Sequence, residues 1–235
     1  MCVVGIGLVL TFYTTIGFTL FLSDPNKVSD HPVADDWATS SWSLLVNMLL
    51  ISIFILFHSL MAHRTFKEVL ESYNITDLQR SIYVIITTLT LQVLMKNWHI
   101  ITGVTLWKFS LTNKTMLWAY FLIHGIFWLL IYISTICVDI NELLGIKQVY
   151  YKLKKLPDPL SQKSFQLKRL YDHMRHPGFS SFLVIFWVTP VMSLDRLLLA
   201  VVLSLYMYIA WKTDENDYEY QYIQYKRKYE LNYLQ

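Results

Sequence analysis

The sequence predicts an all-α membrane protein, a polytopic helical bundle of about six transmembrane helices forming one domain over residues 1–235. Three observations predict it. Four apolar runs are each long enough to cross a bilayer as a helix, and a fifth is long enough for two. None alternates with the period-two pattern of a barrel strand. Once six crossings are drawn, Lys and Arg gather on one side. Composition agrees: the chain is 54% hydrophobic and 16% charged, whereas a soluble domain carries roughly 25% charged residues. Aromatics reach 16%, which suits a protein with two water–lipid boundaries to line with Trp and Tyr.

The first crossing is residues 3–22, free of charge and without the basic n-region or small-residue cleavage site of a signal peptide, so it is expected to be a retained signal anchor. The next three are residues 43–62, 82–95 and 116–138. The run from Gly178 to Trp211 holds 34 residues, and its only charges are Asp195 and Arg196. It is too long for one crossing, so residues 178–193 and 195–211 are expected to form a helical hairpin turning near residue 194. Ser193 and Asp195 are the expected helix caps there, and Pro190 is expected to kink the first arm.

Orientation follows from the cations. With the N-terminus cytosolic, residues 63–81 bring Arg64, Lys67 and Arg80 to the cytosolic side, and the tail from residue 212 brings Lys212, Lys226, Arg227 and Lys228. Residues 139–177 bring eight more, for fifteen in all. The other side keeps five: Lys27, Lys96, Lys108, Lys114 and Arg196. An odd number of crossings would destroy this asymmetry.

In the longest loop, Leu143, Leu144, Ile146, Val149, Tyr150 and Leu153 can share one apolar helix face flanked by lysines, which predicts an amphipathic helix on the membrane surface. Tyr218, Tyr222, Tyr225 and Tyr229 form a stripe in the tail, read as an interfacial anchor or, secondarily, a partner-binding helix. Cys2 and Cys137 make neither a disulfide framework nor a metal spacing. The sequons at Asn74 and Asn113 are expected to stay unmodified, the first being cytosolic and the second too close to the membrane. A net charge of +3 does not argue for nucleic acid, and the bilayer is the partner that the sequence itself implies.

Two clusters carry the chemistry. Arg175, His176 and Pro177 open the last apolar run, and Asp214, Glu215 and Asp217 close it. His176 to Asp195 and Asp195 to Asp214 are each 19 residues, so two antiparallel arms rising about 1.5 Å per residue bring both clusters to one bilayer face. Charges at that depth are either paired structurally or hold a polar ligand. His58 and His124 lie within crossings, where a lone His is more often a hydrogen-bonded core residue than a ligand. Seven histidines, with His173 and His176 the nearest spaced pair, are too few for the His-box metal sites of membrane oxygenases, so no metal is expected.

Several stretches resemble a known family. "FHSLMAHRTFK" at 57–67, "RSIYV" at 80–84 with Trp98 after it, "LLGIKQVY" at 143–150, and the block at 170–218 with its RHP motif, apolar hairpin and acidic cluster occur in that order. The chain resembles the nurim family of inner nuclear membrane proteins and, more widely, the isoprenylcysteine carboxyl methyltransferases and bacterial methanethiol S-methyltransferases. The wider resemblance implies S-adenosylmethionine as cofactor, held by Arg175, His176, Pro177, Asp214, Glu215 and Asp217. A cation suits its carboxylate, and carboxylates suit its ammonium and ribose hydroxyls. The methyltransferases have Tyr in place of Phe179, Gly in place of Ser181 and two Glu in place of Asp214-Glu215, departures that weaken an enzyme reading. The stretch "FWVTPVMSLDRLLLA" leans toward the nurim family. That resemblance implies a structural role at the inner nuclear membrane, both termini nucleoplasmic or cytosolic, and contacts with nuclear lamina or envelope proteins.

Overall fold

A computed structural model of the chain describes residues 2–25, 36–73, 75–110, 112–137, 139–157 and 178–210, with 219, 222, 223 and 226 in the tail. Its helices are α1 (Cys2–Ser23), α2 (Trp37–Ala62), α3 (Arg64–Ser72), α4 (Gln79–Lys96, entered through a 3-10 turn, Thr76–Leu78), α5 (Lys114–Cys137), α6 (Ile140–Leu143), α7 (Ile146–Leu153), α8 (Phe179–Trp187) and α9 (Leu194–Ala210). Two short strands, β1 (Thr105–Lys108) and β2 (Val191–Ser193), pair antiparallel, with Thr105 opposite Ser193 and Lys108 opposite Val191.

Among the described residues, four helices are long and apolar enough to cross a membrane: α1, α2, α4 with its 3-10 lead-in, and α5. Their polarity is inside out relative to a soluble bundle. Ser40, Ser43, Asn47 and Ile51 form the buried stripe of α2, and Ser81, Val84, Thr88 and Leu94 that of α4. The outward faces carry Phe12, Leu45, Leu49, Leu56, Trp118 and Leu122, all exposed. A soluble protein does not leave so large an apolar surface to water. Small and hydroxylated residues inside with large apolar ones outside is how helices pack in lipid, where burial of hydrocarbon gives no drive to associate. The threonines of α1 meet the same constraint locally. Thr11, Thr15 and Thr19 donate to the carbonyls of Gly7, Thr11 and Thr15 at 2.7, 2.6 and 2.9 Å, so no hydroxyl is stranded.

Helix direction can be read from side-chain pairings. Gly7 lies against Ile85, Thr14 bonds Gln92 and Gly17 lies against Met95, so α1 and α4 run parallel. His58 meets Tyr83 while Asn47 meets His99, so α2 runs opposite to α4. Tyr132 bonds Thr19 and Trp128 bonds Ser23, setting α5 against α1. The end at which α1 starts is called the near end below, and the other the far end. The apolar core sits toward the far end. Phe21, Ile51, Leu94, Trp128, Ile185 and Leu199 meet there, and Trp128 takes the edges of Phe18 and Phe182 at ring separations of 6.2 and 5.9 Å.

Several boundaries differ from the sequence reading. Helix α2 starts at Trp37 instead of residue 43, because Asp36 caps it by accepting the Thr39 N–H at 2.9 Å. Of the run 178–193, only Phe179–Trp187 is helical. Nine residues rise about 14 Å, half a hydrocarbon core. Pro190 ends this helix where a kink was expected. It has no N–H to give, and its ring drives Thr189 out of the α region. The freed chain becomes β2, and the Phe109 N–H donates to the Pro190 carbonyl at 2.8 Å. Asp195 stands in the first turn of α9, but its carboxylate is used across the bundle, as described below. The expected surface helix over 143–153 is broken at Gly145, whose φ of +80° begins α7 anew. Leu144 and Val149 are buried while Tyr150 and Leu153 are exposed, so the predicted face is divided between two helices.

This divided segment docks on the near end. Arg80 Nε donates to the Leu143 carbonyl at 2.9 Å, Ser81 Oγ to the Leu144 carbonyl at 3.3 Å, and Lys152 pairs with Asp77. Asp139 enters α6 at φ 71° and accepts from Asn141 and Glu142. Burial alone would raise its carboxyl, but the Lys147 ammonium at 3.0 Å and those two N–H groups hold it below the ordinary aspartate value.

Candidate functional site

The six residues singled out by sequence, Arg175, His176, Pro177, Asp214, Glu215 and Asp217, lie outside the described residues, as do Tyr218, Tyr225 and Tyr229 of the tyrosine stripe. The chain beside the first cluster is described. A Cβ at Gly178 would come within 3.1 Å of Ile131 and 3.4 Å of Phe182, so the backbone enters α8 pressed against α5. Phe179 packs against the apolar core, and Ser181 is buried. Two of the three departures from the methyltransferase pattern are thus a ring and a hydroxymethyl group seated in the packing of the first turn of α8.

Two polar constellations stand out in the bundle. The first joins α2, α4 and α9 toward the near end. The Tyr83 hydroxyl lies 3.0 Å from His58 Nε2, Thr87 Oγ1 lies 3.4 Å from His58 Nδ1, and Phe54 stacks on the imidazole at 5.6 Å. Tyr206 presents its edge to the same ring at 6.1 Å, and its hydroxyl meets Ser59 Oγ at 3.0 Å. Sequence had marked His58 alone. Its partners are 25 and 148 positions away along the chain, which is why spacing could not assemble them. One imidazole, two phenols and two hydroxyls offer both donors and acceptors to a polar group in an otherwise apolar slab.

The second constellation closes the far end. Asp195 is completely buried. Its Oδ2 accepts from Trp98 Nε1 at 2.9 Å, and its Oδ1 accepts from the Ile101 N–H at 3.1 Å and from Ser193 Oγ at 2.6 Å. Arg196, also buried, donates to the Phe21 carbonyl at 2.6 Å and lies 5.2 Å from the Phe21 ring centre. Beside it, Ser23 Oγ is 2.7 Å from His124 Nδ1, and His124 Nε2 is 2.6 Å from the Val188 carbonyl. An indole N–H only donates, so the 2.8 Å bond from Trp128 Nε1 makes Ser23 Oγ an acceptor. The serine proton then goes to Nδ1, and Nε2 carries the hydrogen given to Val188.

A Ser–His pair at this distance has the outline of a hydrolytic dyad. Its surroundings argue otherwise. Ser23 Oγ is already engaged by Trp128, the imidazole is 2% exposed, and both ring nitrogens are committed to the fold. His124 is the hydrogen-bonded core residue that a lone helical His usually is. Asn47 performs the same service nearby, donating to the His99 carbonyl at 2.6 Å and accepting the His99 N–H at 2.9 Å. These bonds tie residues 97–101 and 188–195 to the helix ends. Among the described residues no group of three His, Cys, Asp or Glu side chains is placed to hold a metal ion.

Comparison with known proteins adds relatives over nearly the full length. The chain is 36% identical over 230 residues to the nurim homolog of Drosophila melanogaster, covering 93% of this chain and 90% of that protein. It is 38% identical over 242 residues to nurim of Bos taurus, covering 95% and 90%. With nurim of Danio rerio the identity is 39% over 193 residues, covering 80% and 70%. No family model matches the chain, and no solved structure does.

Proposed function

The chain belongs to the nurim family, and on that premise we propose that it is a multi-pass protein of the inner nuclear membrane with a structural role, six crossings and both termini nucleoplasmic. The observation that carries the structural role is the far-end constellation. Its buried aspartate and histidine hold loops to helix ends and its buried arginine ties α9 to the end of α1, a use that stabilises the body of the bundle. The fifteen-to-five division of cations supports the orientation. The alternation of helix directions through α1, α2, α4 and α5 supports an even count, and the run 178–211, in which α8 covers half a hydrocarbon core before the chain returns through α9, is read as the last pair of crossings. The near end would then be nucleoplasmic and would carry the docked α6–α7 segment with Lys147, Lys152 and Lys154. These short basic loops suit modest contacts with lamina or envelope proteins.

A fluorescently tagged chain expressed in animal cells is expected to mark a continuous nuclear rim that survives detergent extraction of the peripheral reticulum. A uniform reticular or plasma-membrane pattern would overturn the envelope reading.

A second reading is favoured by the near-end constellation. His58, Tyr83 and Tyr206 place polar groups in the half of the bundle toward which α9 leads, and α9 ends four residues before Asp214. In that reading the chain is an S-adenosylmethionine-dependent membrane methyltransferase acting on a thiol or a prenylcysteine carboxylate. Arg175, His176, Pro177, Asp214, Glu215 and Asp217 hold the cofactor, and the sulfonium supplies the methyl group. Titration of the purified full chain with S-adenosylmethionine discriminates the two. The structural reading expects no saturable heat up to millimolar cofactor. Saturable binding that is lost in Arg175→Ala would establish the enzyme reading instead.

A further inference from the structure

We propose that the groove between α1 and α4 at the far end is a binding site for a single phospholipid with a primary-amine zwitterionic headgroup, of the phosphatidylethanolamine type. The groove has a volume of about 310 Å³, at the lower end of ligand pockets. Tyr13, Gly17, Leu20 and Phe21 line it from α1, and Met95 from α4. Tyr13 and Leu20 are 61% and 62% exposed, so the rim opens sideways from the bundle, while Phe21 at 3% forms the floor. Gly17 leaves the depression open, since the nearest atom that a Cβ there would meet is Met95 Cε at 3.6 Å. Gln92 also lines the groove from α4, and its Nε2 donates to Thr14 Oγ1 at 2.7 Å.

Depth and charge identify the occupant. From Tyr13 to Asp24 the chain climbs eleven residues, and the Asp24 N–H still donates to the Leu20 carbonyl at 3.0 Å, so the rise is helical. It amounts to about 16 Å, one half of the roughly 30 Å hydrocarbon core. The groove therefore runs from the bilayer midplane to one interface, the depth of one acyl chain in one leaflet. At its interfacial end it is lined by one cation and one anion, Lys96 and Asp24, both exposed. A lipid phosphate accepts from the Lys96 ammonium. A primary ammonium donates to the Asp24 carboxylate, which has lone pairs for more than one donor. A choline headgroup has no N–H to give, and a sterol has no charge for either residue.

The test uses the full chain in nanodiscs of phosphatidylcholine doped with a diazirine-bearing phosphatidylethanolamine, with crosslinked peptides mapped by mass spectrometry. Labelling is expected to concentrate on residues 13–24 and 92–96 and to saturate against unlabelled phosphatidylethanolamine. The same diazirine on phosphatidylcholine should label these peptides several-fold less. Asp24→Asn should lower the ethanolamine preference roughly fivefold, the loss of one charge-assisted bond at an interface, while Lys96→Gln should weaken labelling by both lipids, since both carry the phosphate. Gly17→Leu should fill the groove and remove labelling there while peptides of α2 and α5 keep theirs. If Gly17→Leu does not yield a monodisperse protein, Asp24→Asn decides alone. Equal labelling by both headgroups, preference for a diazirine sterol, or no effect of Asp24→Asn on the preference would each overturn the proposal.

Discussion

Asp195→Ala is expected to lower the apparent melting temperature of the detergent-solubilised chain by roughly 6–20 °C, the largest effect of any single side chain in the far-end constellation. The carboxylate is fully buried and accepts from three donors: the Trp98 indole, the Ile101 backbone and the Ser193 hydroxyl. Removing it strands all three and leaves the buried Arg196 cation without the anion next to it in sequence. Loss of one partner from a buried charged network costs about 3–5 kcal/mol, and at roughly 2–4 °C per kcal/mol for a chain of this size the shift follows. Trp98→Phe removes one bond to a charged group and should cost about 1.5–3 kcal/mol. Asp195→Asn should fall between the two, because an amide oxygen still accepts but its NH₂ faces donors. Thermal scans read by monodisperse recovery on gel filtration check the order. Asp195→Ala melting with Trp98→Phe, a few degrees from wild type, would show that the carboxylate does not hold this end together.

Asp195 also shows what the sequence could and could not reveal. It was visible as one of two charges in a 34-residue apolar run and was read as a helix cap at a hairpin turn, whereas it stands inside the first turn of α9 with its carboxylate used across the bundle. Its burial was not visible, because its partners at 98 and 101 lie nearly a hundred residues upstream on a loop without periodicity. The first four spans were legible because length and hydropathy are local properties. The helix ends were less so, since they depend on single contacts: Asp36 with Thr39 extends α2, and Thr189 before Pro190 stops α8. Strands β1 and β2 left no signal, being four and three residues long and 86 positions apart at Thr105 and Val191. At the near end His58 was marked but Tyr83 and Tyr206 were not, because a tyrosine in a membrane helix reads as an interfacial anchor until the fold turns it inward. The nurim-family resemblance, by contrast, rested on motifs in order along the chain, and motif order is preserved in sequence.

Gly145→Ala is expected to release the α6–α7 segment from the near end. Two separate strains arise there. The backbone at φ +80° costs an L-residue about 1–2 kcal/mol. The new Cβ would also lie 2.6 Å from Ser81 Oγ and 3.0 Å from the Ser81 nitrogen, the second of which belongs to the start of α4 and cannot rotate away. A total near 3 kcal/mol corresponds to roughly a hundredfold rise in amide exchange across 140–153 if the segment opens as a unit. The bonds lost would be those from Arg80 to Leu143 and from Ser81 to Leu144, with the Lys152–Asp77 pair. Ser81→Gly added to Gly145→Ala should recover part of the protection by removing the hydroxyl, and the φ strain should keep the rest lost. Exchange around Trp98 and Asp195 should stay at wild-type rates, because nothing in the far-end network touches α7. A uniform rise over both ends would mean that the surface segment and the bundle unfold together, and Gly145 would then be part of the core instead of a hinge between the basic loop and the membrane body. The distinction matters because Lys147 and Lys152 reach their partners Asp139 and Asp77 only while this turn is made, so the presentation of basic residues at the near end depends on a single glycine.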